Sequence, residues 1–214
     1  MRKDLVTISY GRSAFFKTKD YGAFNNDSEE DALRNDFARL LPDFNYNNFH
    51  KKKSVSSSFL HHNIQSWDSD EIYAQGDQLV VGEYCNHGVI VPQNMHVAFN
   101  KLRNCTPLIS RMKGDIPYLS FLHVWAIPGD SDVVDRQVLH WMHVLETKGK
   151  ILETIFAPRV TGSINDTSYH NAVKYIRDYS EKTIVFTRNA TELCGVVNDL
   201  GVYFKDCGYR LWEN

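Results

Sequence analysis

The histidine His123 lies in the densest apolar run of the chain, residues 118–127, which ends at Pro128 and Gly129. Because side chains alternate along a strand, His123 and Trp125 would project on the same side of a regular strand. An imidazole in that position can act as a general base, bind a metal or serve as a core residue with satisfied hydrogen bonds. The core role is the common one in an apolar run. The Pro-Gly turn favours a functional site, since such residues gather where strands end.

The cysteine Cys85 offers a different chemistry, with His87 two residues later and His96 further along the chain. A cysteine within hydrogen-bond reach of a histidine supports acyl transfer, deamidation or peptide hydrolysis, because the imidazole helps to generate the nucleophilic thiolate. The base would be supplied by proximity in the fold, so His123 is also a candidate partner. The alternative role of Cys85 is that of a small core residue, the usual one for a lone intracellular cysteine.

A metal site is not predicted. His140 and His143 are spaced i, i+3 on a predicted helix, which brings both rings near one face. No Asp, Glu or Cys constellation accompanies them, and the chain contains no C-x-x-C pair. The four cysteines are Cys85, Cys105, Cys194 and Cys207. Phosphate-binding glycine loops, G-x-S-x-G and H-E-x-x-H are also missing from the sequence, so no cofactor is predicted.

The composition is that of an ordinary globular protein, with 214 residues, 43% hydrophobic and 23% charged. A formal net charge of -2 gives no global basic field, so a nucleic-acid partner is not predicted. No apolar run approaches the roughly 20 residues of a membrane span, and the first residues do not have the pattern of a signal peptide. We therefore expect a soluble, cytoplasmic chain with reduced thiols. The composition does not predict an oligomeric state.

The elements that would position these residues follow from hydrophobic periodicity and turn residues. Strands are predicted at residues 4–10, 71–74, 78–84, 87–92, 118–127, 151–157, 182–187, 201–205 and 209–212, and helices at 29–41, 132–147 and 167–179. Residues 97–108 are interpreted as a short helix or an irregular stretch, residues 193–200 as helical, and residues 43–58 as a polar loop that forms a linker or an insertion. Because strands and helices mix without regular alternation, we predict one α+β domain over residues 1–214. Its central, largely antiparallel sheet would be flanked by helices.

Residues 118–128, Tyr-Leu-Ser-Phe-Leu-His-Val-Trp-Ala-Ile-Pro, resemble a strand of the histidine-triad (HIT-like) superfamily that reads roughly His-φ-φ-φ-Ile-Pro. In that family a turn and a helix follow, and here the helix would begin at Val133. Residues 87–97 resemble the same strand, so the register is ambiguous. The later copy is favoured, because a helical pattern follows it.

The resemblance implies a HIT-like domain that binds a nucleotide or a related phosphorylated small molecule, with His123, Trp125 and Pro128 as ligand-binding residues. The chemistry of that family resides in a separate His-φ-His-φ-His element, and this sequence has no H-x-H anywhere. Triad-type hydrolase activity would therefore be reduced or missing.

Three functions stay open from the sequence. The first is the HIT-like binding protein, and the second is a cysteine-dependent hydrolase or deamidase that uses Cys85 with a histidine. The third is a non-catalytic interaction protein with an exposed apolar surface. Catalytic residues are thus not fixed; His123 and Cys85 are the candidates, and whether the chain is an enzyme is left open.

Overall fold

A computed structural model describes residues 4–9, 60–63, 72–75, 78–81, 87–99, 102, 105–115, 117–124, 131–159, 169–187, 193–204 and 208–212, with backbone alone before residue 88. These residues form thirteen strands and two helices. The strands are β1 (Asp4–Ser9), β2 (Leu60–Asn63), β3 (Ile72–Gln75), β4 (Gln78–Val81), β5 (His87–Pro92), β6 (His96–Phe99), β7 (Thr106–Lys113), β8 (Pro117–Val124), β9 (Lys150–Phe156), β10 (Ser180–Thr187), β11 (Gly195–Val197), β12 (Gly201–Phe204) and β13 (Gly208–Leu211). The helices are α1 (Ser131–Glu146) and α2 (His170–Tyr179).

The strands form two sheets. Sheet A has the order β1-β10-β9-β7-β8-β5-β2, and sheet B has the order β13-β12-β11-β6-β4-β3. In sheet A the pairs β1–β10 and β10–β9 are parallel and the other pairs are antiparallel. In sheet B only β4–β6 is parallel among the pairs of the described strands.

Alternating side chains of sheet A divide the core into two layers. On β8, Leu119 and Phe121 join a cluster with sheet B residues such as Phe99 and Phe204, whereas Leu122 and Val124 join a cluster with the helices. This is the period-two alternation expected of a strand that is buried on both faces. The described residues therefore form three layers, with the helices on one side of sheet A and sheet B on the other.

Helix α1 covers sheet A because its apolar residues recur at helical spacing. Val134, Val138, Trp141 and Leu145 are all buried in the cluster that the helices share with sheet A. Gly149 follows the helix with φ 151°, a conformation that side-chain-bearing residues rarely adopt. The predicted end of this helix at Gly149 is thus confirmed. Neither helix in the described part of the chain is long and apolar enough to cross a bilayer.

The α+β class is confirmed, but the predicted arrangement of a single sheet flanked by helices differs from the structure. Sheet A is mixed, because β9 and β10 are joined through α2 and such a crossover makes the two strands parallel. Sheet B covers the face where helices were expected. Residues 97–108, interpreted as a short helix or an irregular stretch, and residues 193–200, interpreted as helical, contain strand residues of β6, β7 and β11. The predicted helix at 29–41 and the loop at 43–58 lie outside the described residues.

Candidate functional site

The strands β7 and β8 form an antiparallel pair in the middle of sheet A, and His123 lies near the end of β8. In their register Pro107 is opposite His123 and Thr106 is opposite Val124. Cys105 directly precedes β7, so it lies beside the end of β8 and is a diagonal neighbour of His123. Diagonal neighbours on an antiparallel pair have Cβ atoms about 7 Å apart or slightly closer, within reach of longer side chains.

Cys105 and His123 also share a face of sheet A. Leu119 and Phe121 face sheet B, and His123 follows them at the same period of two. Cys105 packs against that same cluster as a partly buried residue. His123 is 1% exposed, whereas Cys105 is half-buried, so the thiol is the more accessible group of the two.

Backbone hydrogen bonds hold the segment of Cys105 on both sides. The N–H of the fully buried Leu102 donates to the carbonyl of Leu193 at 3.0 Å, which ties the segment to the residues before β11. Beyond Cys105, the N–H of Ala157 donates to the carbonyl of Pro107 at 3.2 Å. These hydrogen bonds restrict movement of the backbone at Cys105, which keeps the position of its side chain fixed.

A cysteine and a histidine on one face of a sheet supply the two groups that nucleophilic catalysis by a thiol requires. An imidazole within hydrogen-bond reach of a thiol can accept its proton, and the resulting thiolate is the reactive form of cysteine.

The residues predicted to carry chemistry are distributed as follows. His123 is in the core strand β8, as predicted, and its burial agrees with either a core or a functional role. Cys85, Trp125 and Pro128 lie outside the described residues. The backbone of His87 begins β5, and His96 begins β6 in sheet B, so the latter is on a different sheet from His123.

His143 takes part in an interhelical contact with Tyr179. The Tyr179 hydroxyl is 3.0 Å from Nδ1 of His143, the rings meet edge to face, and Glu146 lies 3.8 Å from the same nitrogen. The pKa of Tyr179 is raised by partial loss of hydration and, to a smaller extent, by the negative charges of Glu146 and Asp178. Within the described ranges, no group of three or more His, Cys, Asp or Glu side chains is arranged to hold a metal ion.

Sequence reasoning missed Cys105. The strand Thr106–Lys113 that places it beside His123 contains a proline and two cationic residues, which hide its apolar alternation. The available signal was the short interval Gly114–Pro117 between this stretch and the apolar run. Two strands separated by so few residues pair as a hairpin, and that pairing brings the start of the first beside the end of the second.

Comparisons with known proteins leave the family of the chain open. No protein-family model matches the chain, and no curated protein is similar to it. Among solved structures, the chain is similar to the C-terminal domain of CNFy from Yersinia pseudotuberculosis, at 9% sequence identity and a TM-score of 0.32. The match covers 73% of this chain and 71% of that one. A TM-score of this size does not establish a common fold, and nothing about activity follows from it.

Proposed function

We propose that this protein is a cysteine-dependent hydrolase or deamidase in which Cys105 is the nucleophile and His123 is the base. The observation that carries the proposal is the register of β7 and β8, which makes the two residues diagonal neighbours on one face of sheet A. The burial difference between them adds support, because a nucleophile must be reached by substrate whereas its base need not be.

The proposed reaction proceeds through a thioester. The thiol proton of Cys105 moves to His123, the sulfur bonds to an amide carbonyl carbon, and the C–N bond breaks as the imidazolium protonates the leaving nitrogen. Water then attacks the thioester carbon with His123 again as base, and the C–S bond breaks. The products are a carboxylic acid and either ammonia or an amine, depending on the amide.

The proposal changes the nucleophile from the one predicted on sequence grounds. Cys85 remains a prediction, because it lies outside the described residues. Cys105 is preferred, since its neighbours are known and include the histidine that was already a candidate. Both assignments predict the same class of chemistry, so identification of the reactive cysteine separates them.

Alkylation by iodoacetamide tests the pair without knowledge of the substrate. At pH 7 we expect Cys105 to react roughly tenfold faster than Cys194, because a neighbouring imidazole increases the thiolate fraction. Cys194 is a matched control, since it is also half-buried and free of a disulfide. Peptide mass spectrometry gives the rate for each cysteine separately. Substitution His123→Asn should lower the rate at Cys105 by roughly tenfold and leave the rate at Cys194 unchanged.

Two results would contradict the assignment. One is alkylation of Cys105 and Cys194 at equal rates, and the other is an unchanged Cys105 rate in a folded His123→Asn protein. Because His123 is buried, a melting curve must accompany the variant, and His123→Gln provides a second substitution of similar size. His96→Asn serves as the matched histidine control. Preferential alkylation of Cys85 would return the role of nucleophile to that residue.

Nucleotide binding by a HIT-like domain stays a second prediction. The specific observation in its favour is that α1 follows β8 after a short connection, as the resemblance requires. Nucleoside monophosphates and dinucleotides at millimolar concentration should then raise the melting temperature, because a ligand that binds only the native state stabilises it. An unchanged melting temperature with every nucleotide would contradict nucleotide binding. The third function, an interaction protein, finds little support, since Leu200 is the one large exposed hydrophobic residue among those described.

A further inference from the structure

A groove of about 400 Å³ lies between residues 132–139 of α1 and residues 171–175 of α2. It is lined by Asp132, Asp135, Arg136, Leu139, Asn171 and Tyr175. None of these residues takes part in the chemistry proposed for Cys105 and His123. The groove combines carboxylates with an aromatic ring and an aliphatic side chain, which is a suitable lining for a small organic group that carries a charge.

The side chain of Asp135 is the unusual feature of the groove. Asp135 is 8% exposed, and its Oδ2 accepts a hydrogen bond from Nδ2 of Asn171 at 2.9 Å. Its other carboxylate oxygen, Oδ1, is buried and has no hydrogen-bond partner in the described part of the chain. A buried carboxylate normally has a cationic partner or several donors, because loss of hydration is costly for the charged group. A single neutral amide leaves this carboxylate under-compensated.

The nearest cationic side chain of the groove does not supply the missing partner. Nε of Arg136 donates to the backbone carbonyl of Asp132 at 3.2 Å, and Arg136 is exposed. Asp132 itself contributes a second, exposed carboxylate in the first turn of α1. The lining thus has two acidic groups and one basic group, with the basic group directed to a backbone carbonyl.

We propose that this groove binds an organic cation, a guanidinium or ammonium group, and that Asp135 is its main anionic contact. A guanidinium can donate to a carboxylate in a charge-assisted pair, which is stronger than a neutral hydrogen bond. Leu139 and Tyr175 would contact the aliphatic stem of the ligand, and the aromatic ring of Tyr175 would add a cation–π contribution. The cation is either a free amine or guanidine or a basic side chain of a polypeptide.

The groove lies at the same end of sheet A as Cys105 and His123. Helix α1 follows the end of β8, where His123 lies, and α2 follows β9, whose Phe156 is opposite Leu108 near the start of β7. The residues of the groove lie toward the N-terminal end of each helix, within residues 132–139 of α1 and 171–175 of α2. The groove and the cysteine-histidine pair therefore lie at the same end of the central strands of sheet A. The groove is on the face that the helices cover, and the pair is on the face toward sheet B. Cation binding itself does not rest on the proposed hydrolase function.

Isothermal titration of the full chain with n-butylguanidinium and with n-butylurea tests the cation requirement. The two probes have nearly the same shape and differ in charge, so we expect saturable binding of the guanidinium and binding of the urea that is weaker by roughly tenfold or more. Equal binding of both probes would overturn the proposal. A short acetylated, amidated Gly-Gly-Arg-Gly-Gly peptide distinguishes the sources. Tighter binding of the peptide than of n-butylguanidinium indicates a polypeptide ligand, and equal or weaker binding indicates a free cation.

Two substitutions that should change the ligand affinity in opposite directions test whether the cation binds in this groove. Asp135→Asn should lower the affinity for n-butylguanidinium by roughly tenfold, because the main anionic contact is lost. Arg136→Gln should raise the affinity by roughly threefold, because a charge of the same sign as the ligand is removed. Asp178→Asn is the matched control, since it removes the same charge at the other end of α2 and should change nothing. Asp135→Asn could lower the melting temperature so far that the protein is unfolded in the titration. In that case Asp132→Asn replaces it as the test, and its affinity for n-butylguanidinium should be lower by roughly threefold. Unchanged affinity in the folded Asp135→Asn or Asp132→Asn variant would overturn the assignment.

Discussion

Replacement of Arg210 by methionine is expected to lower the free energy of unfolding by about 3–5 kcal/mol. Arg210 on β13 is paired with Glu153 on β9, so the ion pair joins sheet B to sheet A. Nε donates to Oε1 of Glu153 at 2.6 Å, and Nη2 contacts the same oxygen. Arg210 is 1% exposed and Glu153 is 2% exposed. The single substitution removes the paired cation from a buried carboxylate, and the cationic residues Arg111 and Lys182 remain opposite Glu153 on the neighbouring strands. Urea denaturation at neutral pH measures the loss.

The physical cause can be separated from a loss of packing by a double variant. Glu153→Leu combined with Arg210→Met removes both charges, and its stability should return to within about 1 kcal/mol of the parent protein or exceed it. The exposed pair of Lys150 with Glu181, at 2.7 Å, provides a matched control in the same sheet. Lys150→Met should cost at most about 1 kcal/mol, because solvent screens an exposed pair. Equal losses from Arg210→Met and from the double variant would attribute the effect to shape and not to charge.

Gly88→Val is expected to destabilise the protein by about 3 kcal/mol, the upper end of the usual cost of overpacking. Gly88 lies on β5, and a Cβ added there would overlap the six-membered ring of Trp141 on α1. Trp141 is fully buried in the layer between sheet A and the helices, so the indole has no space into which it can move. Urea denaturation again gives the change in unfolding free energy.

The same substitution made in a Trp141→Leu protein tests whether overlap with Trp141 causes the destabilisation by Gly88→Val. In a Trp141→Leu protein, which is itself less stable, the additional cost of Gly88→Val should fall to about 1 kcal/mol, because the removed ring leaves space for the new methyl groups. The difference between the two backgrounds is the coupling energy of the pair. An equal cost in both backgrounds would show that the strain arises from other neighbours of Gly88.

Local patterns account for much of the helical layer and of sheet A. The helix over residues 132–147 agrees with α1 at nearly all positions, because amphipathic periodicity is a property of a short stretch. The strand over 118–127 agrees with β8 as far as Val124, and its last three residues lie outside the described part of the chain. Four strands of sheet B, namely β3, β4, β12 and β13, also agree with predicted strands. The short strands β6 and β11 and the presence of a second sheet were not predicted. Which strands are neighbours is also decided by packing between distant parts of the chain, and no local pattern records the pairing of β6 with β11.

The candidate site also combines a residue that a local pattern predicts with one that depends on contacts between separate strands. His123 was found from its position in an apolar run, which is a local observation. Its partner depends on the register of β7 and β8, and one residue of slip would move Cys105 to the other face of sheet A. Cys85, the cysteine with a histidine nearest to it in the sequence, lies outside the described residues, so its role stays a prediction.

The parallel pairing of β1 with β10 has a consequence for the order of events when the chain folds. Asp4 is opposite Lys182, so an edge of sheet A joins residues from the beginning of the sequence to residues near its end. Among the described strands β1 pairs with β10 alone, so these hydrogen bonds cannot form during synthesis on the ribosome until β10 has left the exit tunnel. Closure of so long a loop has a large entropic cost before any contact forms, which makes this edge a late and slow step of folding.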